Sequence, residues 1–159
     1  MNYHAIVADI RRILRSINLE SKRIQKDFGV SIPQLLCLTH LAGQDAYQAT
    51  HKQLTEHLNL NSSTVTGIIN RLEKKGFIAR LPKVGDRRTT YVALTSAGYK
   101  LLKSTPNLLH EKLARNLQRL SPEQIQQIRT SLALLIDALE IKDVDASPLL
   151  MIEEPGQPE

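Results

Sequence analysis

Aromatic residues are scarce in this 159-residue chain, with two Phe, four Tyr and no Trp. They are also scattered, which excludes the stacking platform that single-strand nucleic-acid binders use. The core must therefore be built from aliphatic side chains. Cysteine is nearly absent: Cys37 stands alone, so no disulfide can form within the chain and a reducing compartment is expected. No apolar run reaches 18 residues, so no membrane span is expected, and the early charges of "MNYHAIVADIRRILRSINLE" argue against a signal peptide. A cytoplasmic protein without a membrane partner is the expectation. Enzyme motifs are missing too. There is no Gly-rich phosphate loop, no H-E-x-x-H and no G-x-S-x-G, and His4, His40, His51, His57 and His110 lie apart. Neither catalysis nor a cofactor is expected.

What is present is an apolar content of 42%, enough for a globular core in a chain of one domain's length. Residues 4–28 read as a helix, with Ile6, Ile10, Ile13, Leu14 and Ile17 on one face. Gly29 can close it, Ser31 can cap the next helix, and Pro33 suits that helix's first turn. "GQDAYQA" reads as a loop. Thr50 then caps a short helix, "HKQLTEHL", and after "NLN" a second follows with Asn61 as cap and Gly76 as stop. Two short helices joined by about three residues outline a helix-turn-helix.

The net charge of +5 is unevenly placed. Between Arg71 and Arg88 lie seven basic residues (Arg71, Lys74, Lys75, Arg80, Lys83, Arg87, Arg88) and only Glu73 and Asp86 as acids, which equals the surplus of the whole chain. Such density is the footprint of a site for an anionic polymer. The segment is bounded by a hairpin: "FIARLP" and "TTYVAL" read as strands, with Gly85 and Asp86 as the turn signal and the two arginines at its tip. At 100° per residue, Val65, Ile68, Ile69 and Leu72 face a core, while Ser63, Gly67, Asn70 and Lys74 lie opposite with Thr66 and Arg71 beside them. That outer surface is small and hydrogen-bonding, as a helix in a major groove requires. We assign Ser62, Ser63, Thr64, Thr66, Gly67, Asn70 and Arg71 to that groove, with Asn70 pairing adenine and Arg71 reaching guanine or phosphate. Lys74, Lys75 and Lys83 would neutralise phosphates. A hairpin after such a helix is a wing, whose Arg87 and Arg88 suit the minor groove; Asp86 would brace the turn.

Past the wing, Thr95 or Ser96 caps a helical region over 97–120, which Pro106 breaks near 104–107. Ser121, Pro122 and Gln124 restart a helix whose Ile125, Ile128, Leu132, Leu135 and Leu139 form a seam. Residues 143–159 hold five acids and no Lys or Arg, and read as a flexible tail.

From Leu54 to Leu102, "LTEHLNLNSSTVTGIINRLEKKGFIARLPKVGDRRTTYVALTSAGYKLL" resembles the winged helix-turn-helix of the MarR family of bacterial transcription regulators. The wing signature D-x-R followed by L-T stands as Asp86, Arg88, Leu94 and Thr95, and the likeness covers about residues 10–140. It implies a mainly α fold with a small β-hairpin wing. Residues 31–95 would bind DNA, and 1–30 with 96–142 would form a helical dimerisation region. It also implies a homodimer on a pseudo-palindromic operator in double-stranded DNA, usually a repressor released by a small-molecule effector or by oxidation. Oxidation-sensing members place a reactive cysteine near the N-terminus, whereas Cys37 sits in the apolar "QLLCLTHL" and reads as a packing residue. Cys37 and His40 could share a metal, but no carboxylates cluster near them, so no metal is expected. A winged helix that binds a protein instead of DNA is the competing class; the dense Lys and Arg disfavour it, because protein interfaces deplete Lys at their core.

Overall fold

The computed structural model describes residues 3–83, 85 and 88–144. Their packing divides into two units, one running to Thr105 and one starting at Pro106. In chain order the elements are α1 (Tyr3–Phe28), α2 (Ile32–Ala42), β1 (Gln48–Thr50), α3 (His51–Leu58), α4 (Ser62–Lys74), β2 (Ile78–Arg80), β3 (Tyr91–Leu94), α5 (Ser96–Ser104), α6 (Leu109–Leu117) and α7 (Pro122–Ala138). The fold is mainly α with one small sheet, as expected.

Local chemistry sets most of the boundaries. Ser31 Oγ accepts from the Gln34 amide at 3.3 Å while Gln34 Oε1 accepts from the Ser31 amide at 3.1 Å, so two orphan donors of α2 are satisfied reciprocally. Thr50 with Gln53 does the same for α3, and Ser121 with Gln124 for α7. Asn61 Oδ1 accepts from the Thr64 amide at 2.8 Å and starts α4. Between α3 and α4 the chain turns at Asn59, whose φ of 51° is left-handed; Asn tolerates that region because its short polar side chain bonds locally. Ahead of Pro106, Thr105 is extended (φ −81°, ψ 141°), which ends α5 at Ser104 as the proline required.

One difference from the sequence reading concerns "GQDAYQA". It begins as a tight turn over Asp45–Tyr47, but Gln48 and Ala49 belong to a strand, β1. No local signal marks β1, since it is a strand only through its partner. Gln48, Ala49 and Thr50 pair antiparallel with Ala93, Val92 and Tyr91, and β3 in turn pairs with β2, giving the order β1-β3-β2. Ile78 faces Leu94 and Arg80 faces Val92. The backbone pairing continues to Leu81, whose amide donates to Tyr91 O at 2.9 Å. The wing loop is therefore longer than a two-residue turn. Gly85, with φ +80°, holds a left-handed position in it, which Gly adopts without steric cost.

The core of the first unit is aliphatic. Leu35, Leu38 and Leu41 of α2, Leu54 and Leu58 of α3, Val65, Ile68, Ile69 and Leu72 of α4, and Ile78 and Val92 of the sheet are all buried. Each such side chain contributes roughly 1.5–3 kcal/mol relative to exposure. Ile24 anchors the C-terminal part of α1 in the same unit, whereas Ile6, Ile13 and Leu14 on its N-terminal half are exposed. In the second unit, Leu113 of α6, Ile128, Leu132, Leu134 and Ile136 of α7, and Leu139 at its C-terminal cap are exposed, Leu134 by 66%.

α5 approaches the end of β3 so closely that its Gly98 has no room for a side chain. A Cβ there would stand 2.2 Å from the Phe77 carbonyl oxygen and 2.7 Å from Leu94 Cδ1. The first obstacle is backbone and cannot swing aside. Gly98→Ala is expected to lower stability by about 1–3 kcal/mol, the usual cost of overpacking; urea denaturation measures it, and an unchanged midpoint would show that α5 shifts freely.

Candidate nucleic-acid interface

α4 is amphipathic in the way its spacing required. Val65, Ile68, Ile69 and Leu72 are buried, and the helix packs on α3, α2 and β2. With that stripe inward, Ser62, Ser63, Thr66, Asn70, Arg71 and Lys74 are exposed, and Thr64 and Gly67 are half-buried. Gly67 has open space where a Cβ would be, so another backbone could come close there. Lys83 and Arg88 are exposed on the wing loop. Arg87 and Asp86, the second arginine and the expected brace, lie outside the described residues, as do residues 145–159 of the tail.

Two hydroxyls of this surface are already engaged. Thr66 Oγ1 donates to Ser62 O at 2.9 Å and is hydrogen-bonded to His51 Nε2 at 3.0 Å, with the direction of that second bond set by the imidazole tautomer. Ser63 Oγ donates to Asn61 Oδ1 at 2.7 Å. These side chains are held in place before any ligand arrives, and each keeps acceptor capacity for a donor on a partner. His51, at the first turn of α3, thus joins α3 to α4 at the surface. Its place in the first helix of the motif fitted a surface or phosphate-contact role; its bond to Thr66 depends on the packing of α3 against α4.

Arg80 of β2 is the functional candidate that sequence reasoning passed over. It was counted in the basic segment but given no role. Its guanidinium bridges two residues of α4: Nη1 pairs with Glu73 Oε2, and Nη2 donates to Asn70 Oδ1 at 2.6 Å. The only available signal was that an arginine follows Glu73 by seven residues, and that spacing has meaning only once β2 folds back along α4. Lys75 is directed elsewhere than its neighbour Lys74: its ammonium donates to Gly29 O, tying the end of α4 to the α1–α2 turn. Burial and then the nearby Arg71 push its pKa down.

Two further groups bear on ligands. His40 of α2 and His57 of α3 meet in a tilted ring pair with centroids 4.0 Å apart; burial, then the neighbouring His57, lowers the His40 pKa. Among the described residues no cluster of three or more His, Cys, Asp or Glu could hold a metal. A cleft of about 340 Å³ at the base of the wing is lined by Tyr47, Leu94, Thr95, Ser96, Tyr99 and Lys100. Its two tyrosine rings meet edge to face at 6.1 Å.

A helix-turn-helix followed by a β-hairpin wing defines the class: this is a winged helix-turn-helix protein. Residues 30–90 match the model of the MarR family. The chain is 32% identical over 129 residues to YfiV of Bacillus subtilis, an uncharacterized HTH-type transcriptional regulator, covering 81% of this chain and 79% of that one. It is 27% identical over 132 residues to the transcriptional repressor MprA of Escherichia coli, covering 80% and 74%. In structure it resembles Sco3205, a MarR family regulator of Streptomyces coelicolor solved in complex with DNA, with a TM-score of 0.64, 22% identity and 90% of each chain covered. The chain belongs to the MarR family of transcriptional regulators.

Cys37 lies wholly buried in α2, and burial pushes its thiol pKa up to about 12. Burial disfavours the thiolate, which is the reactive form. The native protein should therefore resist maleimide labelling at pH 8 and label fully once unfolded, a contrast read by mass spectrometry. Because the unfolded thiol titrates near 9.0, its contribution to stability is intact below that pH and declines as pH rises towards 12. Rapid labelling of the folded chain would reinstate Cys37 as a sensor.

Proposed function

We propose that this MarR-family regulator acts in the cytoplasm as a homodimeric repressor that binds a pseudo-palindromic operator and is released by a small-molecule effector. The observation that carries the reading is the outward face of α4. Ser62, Ser63, Thr64, Thr66, Gly67 and Asn70 offer small hydrogen-bonding groups to base edges in the major groove, with Arg71, Lys74 and Lys83 for phosphates. Arg88, and Arg87 with it, would enter the adjacent minor groove, where negative potential favours arginine. The proteins it resembles point the same way: MprA is a repressor and Sco3205 was captured on DNA.

Dimerisation is supported by what the described units leave exposed. α1 carries Ile6, Ile13 and Leu14 outside, and α7 carries Leu132, Leu134 and Ile136. Apolar surface of that extent marks an interaction site, and a second copy is the simplest symmetric partner. The cytoplasmic assignment is supported by the lone cysteine and by the absence, among the described residues, of any helix long and apolar enough to cross a membrane. For an effector, the cleft beside Tyr47 and Tyr99 falls within the size range of small-molecule sites.

Fluorescence anisotropy with duplex DNA from upstream of the protein's own gene, against scrambled DNA, tests the reading. Specific binding should weaken steeply with salt, as counterion release demands. Arg88→Ala should weaken it by roughly 1–3 kcal/mol without altering the oligomeric state; equal affinities would remove the wing from the mechanism. Leu132→Glu should lower the molar mass measured by light scattering from dimer towards monomer, and a persistent dimer would place the interface away from α7.

A further inference from the structure

We infer that Arg80 decides which end of the Asn70 amide meets DNA, and so makes guanine, not adenine, the base that Asn70 reads. The inference rests on α4 being the helix that enters the groove. An asparagine amide has one acceptor end and one donor end, and which end faces a neighbour is fixed here by chemistry. Arginine carries five N–H donors and no acceptor, so the atom that meets Arg80 Nη2 at 2.6 Å must be Oδ1.

The arrangement is held from two sides. Asn70 and Glu73 are neighbours one turn apart on α4, and the guanidinium of Arg80 reaches from β2 to both, paired with Glu73 through Nη1. Arg80 and Glu73 side chains are only 36% and 38% exposed, and the Arg80 backbone amide points at Glu73 Oε1 from 3.4 Å. Glu73 is therefore a positioning residue: it holds the fork whose other arm holds Asn70.

The consequence for recognition follows from the base edges. Pairing adenine bidentately needs the amide oxygen to accept from N6 while the amide nitrogen donates to N7. In this protein the guanidinium occupies the approach to Oδ1, and its bulk and positive charge oppose a second donor there. The exposed amide is left to present its NH₂ group. Guanine offers two acceptors side by side in the major groove, O6 and N7, which suits that group. The expectation that Asn70 pairs adenine, natural from the residue type alone, gives way to the opposite preference.

Selection of bound duplexes from a randomised library, carried out with the wild type, Asn70→Ala and Arg80→Met, tests this. The wild type should yield a motif in which one symmetric pair of positions loses its preference in Asn70→Ala. Those positions should be guanine in the wild type, favoured over adenine by about tenfold, and should admit adenine in Arg80→Met. Arg80→Lys, which keeps the charge but lacks the fork, replaces Arg80→Met if circular dichroism shows that variant unfolded. Adenine at those positions in the wild type overturns the proposal. So does a motif unchanged by Asn70→Ala, which would leave the Arg80 bridge a purely structural clip, or guanine retained when the fork is removed. If the wild type itself enriches no motif, the regulator reading fails first, and that result is distinct from the other three.

Discussion

Everything at the candidate interface depends on the burial of four side chains of α4. Val65, Ile68, Ile69 and Leu72 are almost completely enclosed, so rotating the helix about its axis would expose several kcal/mol of apolar surface. That constraint orients Ser63, Thr66, Gly67 and Asn70 outward without any of them contributing to the core. It also explains how a helix opening on Ser, Ser and Thr, with a glycine inside, forms at all. Such a sequence has poor helix propensity, and the Asn61 cap together with tertiary packing compensates.

A second level of order lies above this one. Several polar side chains of the surface are bonded to one another and to neighbouring elements before any partner binds. His51 of α3 is hydrogen-bonded to Thr66, Ser63 donates to Asn61, and Arg80 of β2 bridges Asn70 and Glu73. Ordering such groups in the free protein reduces the entropy that association would otherwise cost. It also narrows what each group can recognise, because an oxygen already accepting a bond is less available to a base. In the proposed reading, specificity would come partly from the first helix of the motif and from the strand after it, not from α4 alone.

The two units differ in how far they are satisfied. The first has an enclosed aliphatic core and, among the described residues, no buried side-chain polar atom without a partner. The second, α6 and α7, leaves most of its apolar side chains exposed. Helices with one apolar stripe need something to cover it, which the proposed dimer would supply for the unit from Pro106 onward.

Much of the architecture was legible in the sequence because the signals are local. Ser31, Thr50, Asn61, Thr95 and Ser121 each cap a helix where the sequence placed one, since capping is chemistry among residues two or three apart. The 3.6-residue period identified the buried face of α4, and Pro106 the break after α5, for the same reason. The D-x-R and L-T pattern of the wing marks the family in the sequence alone. Tertiary structure alone decided what depends on distant residues meeting. β1 exists because β3 pairs with it, Gly98 is required because Phe77 lies against it, and Lys75 turns to Gly29. The orientation of the Asn70 amide is of the same kind: residue type specifies an acceptor and a donor, but only the folding of β2 along α4 brings a guanidinium to one of them.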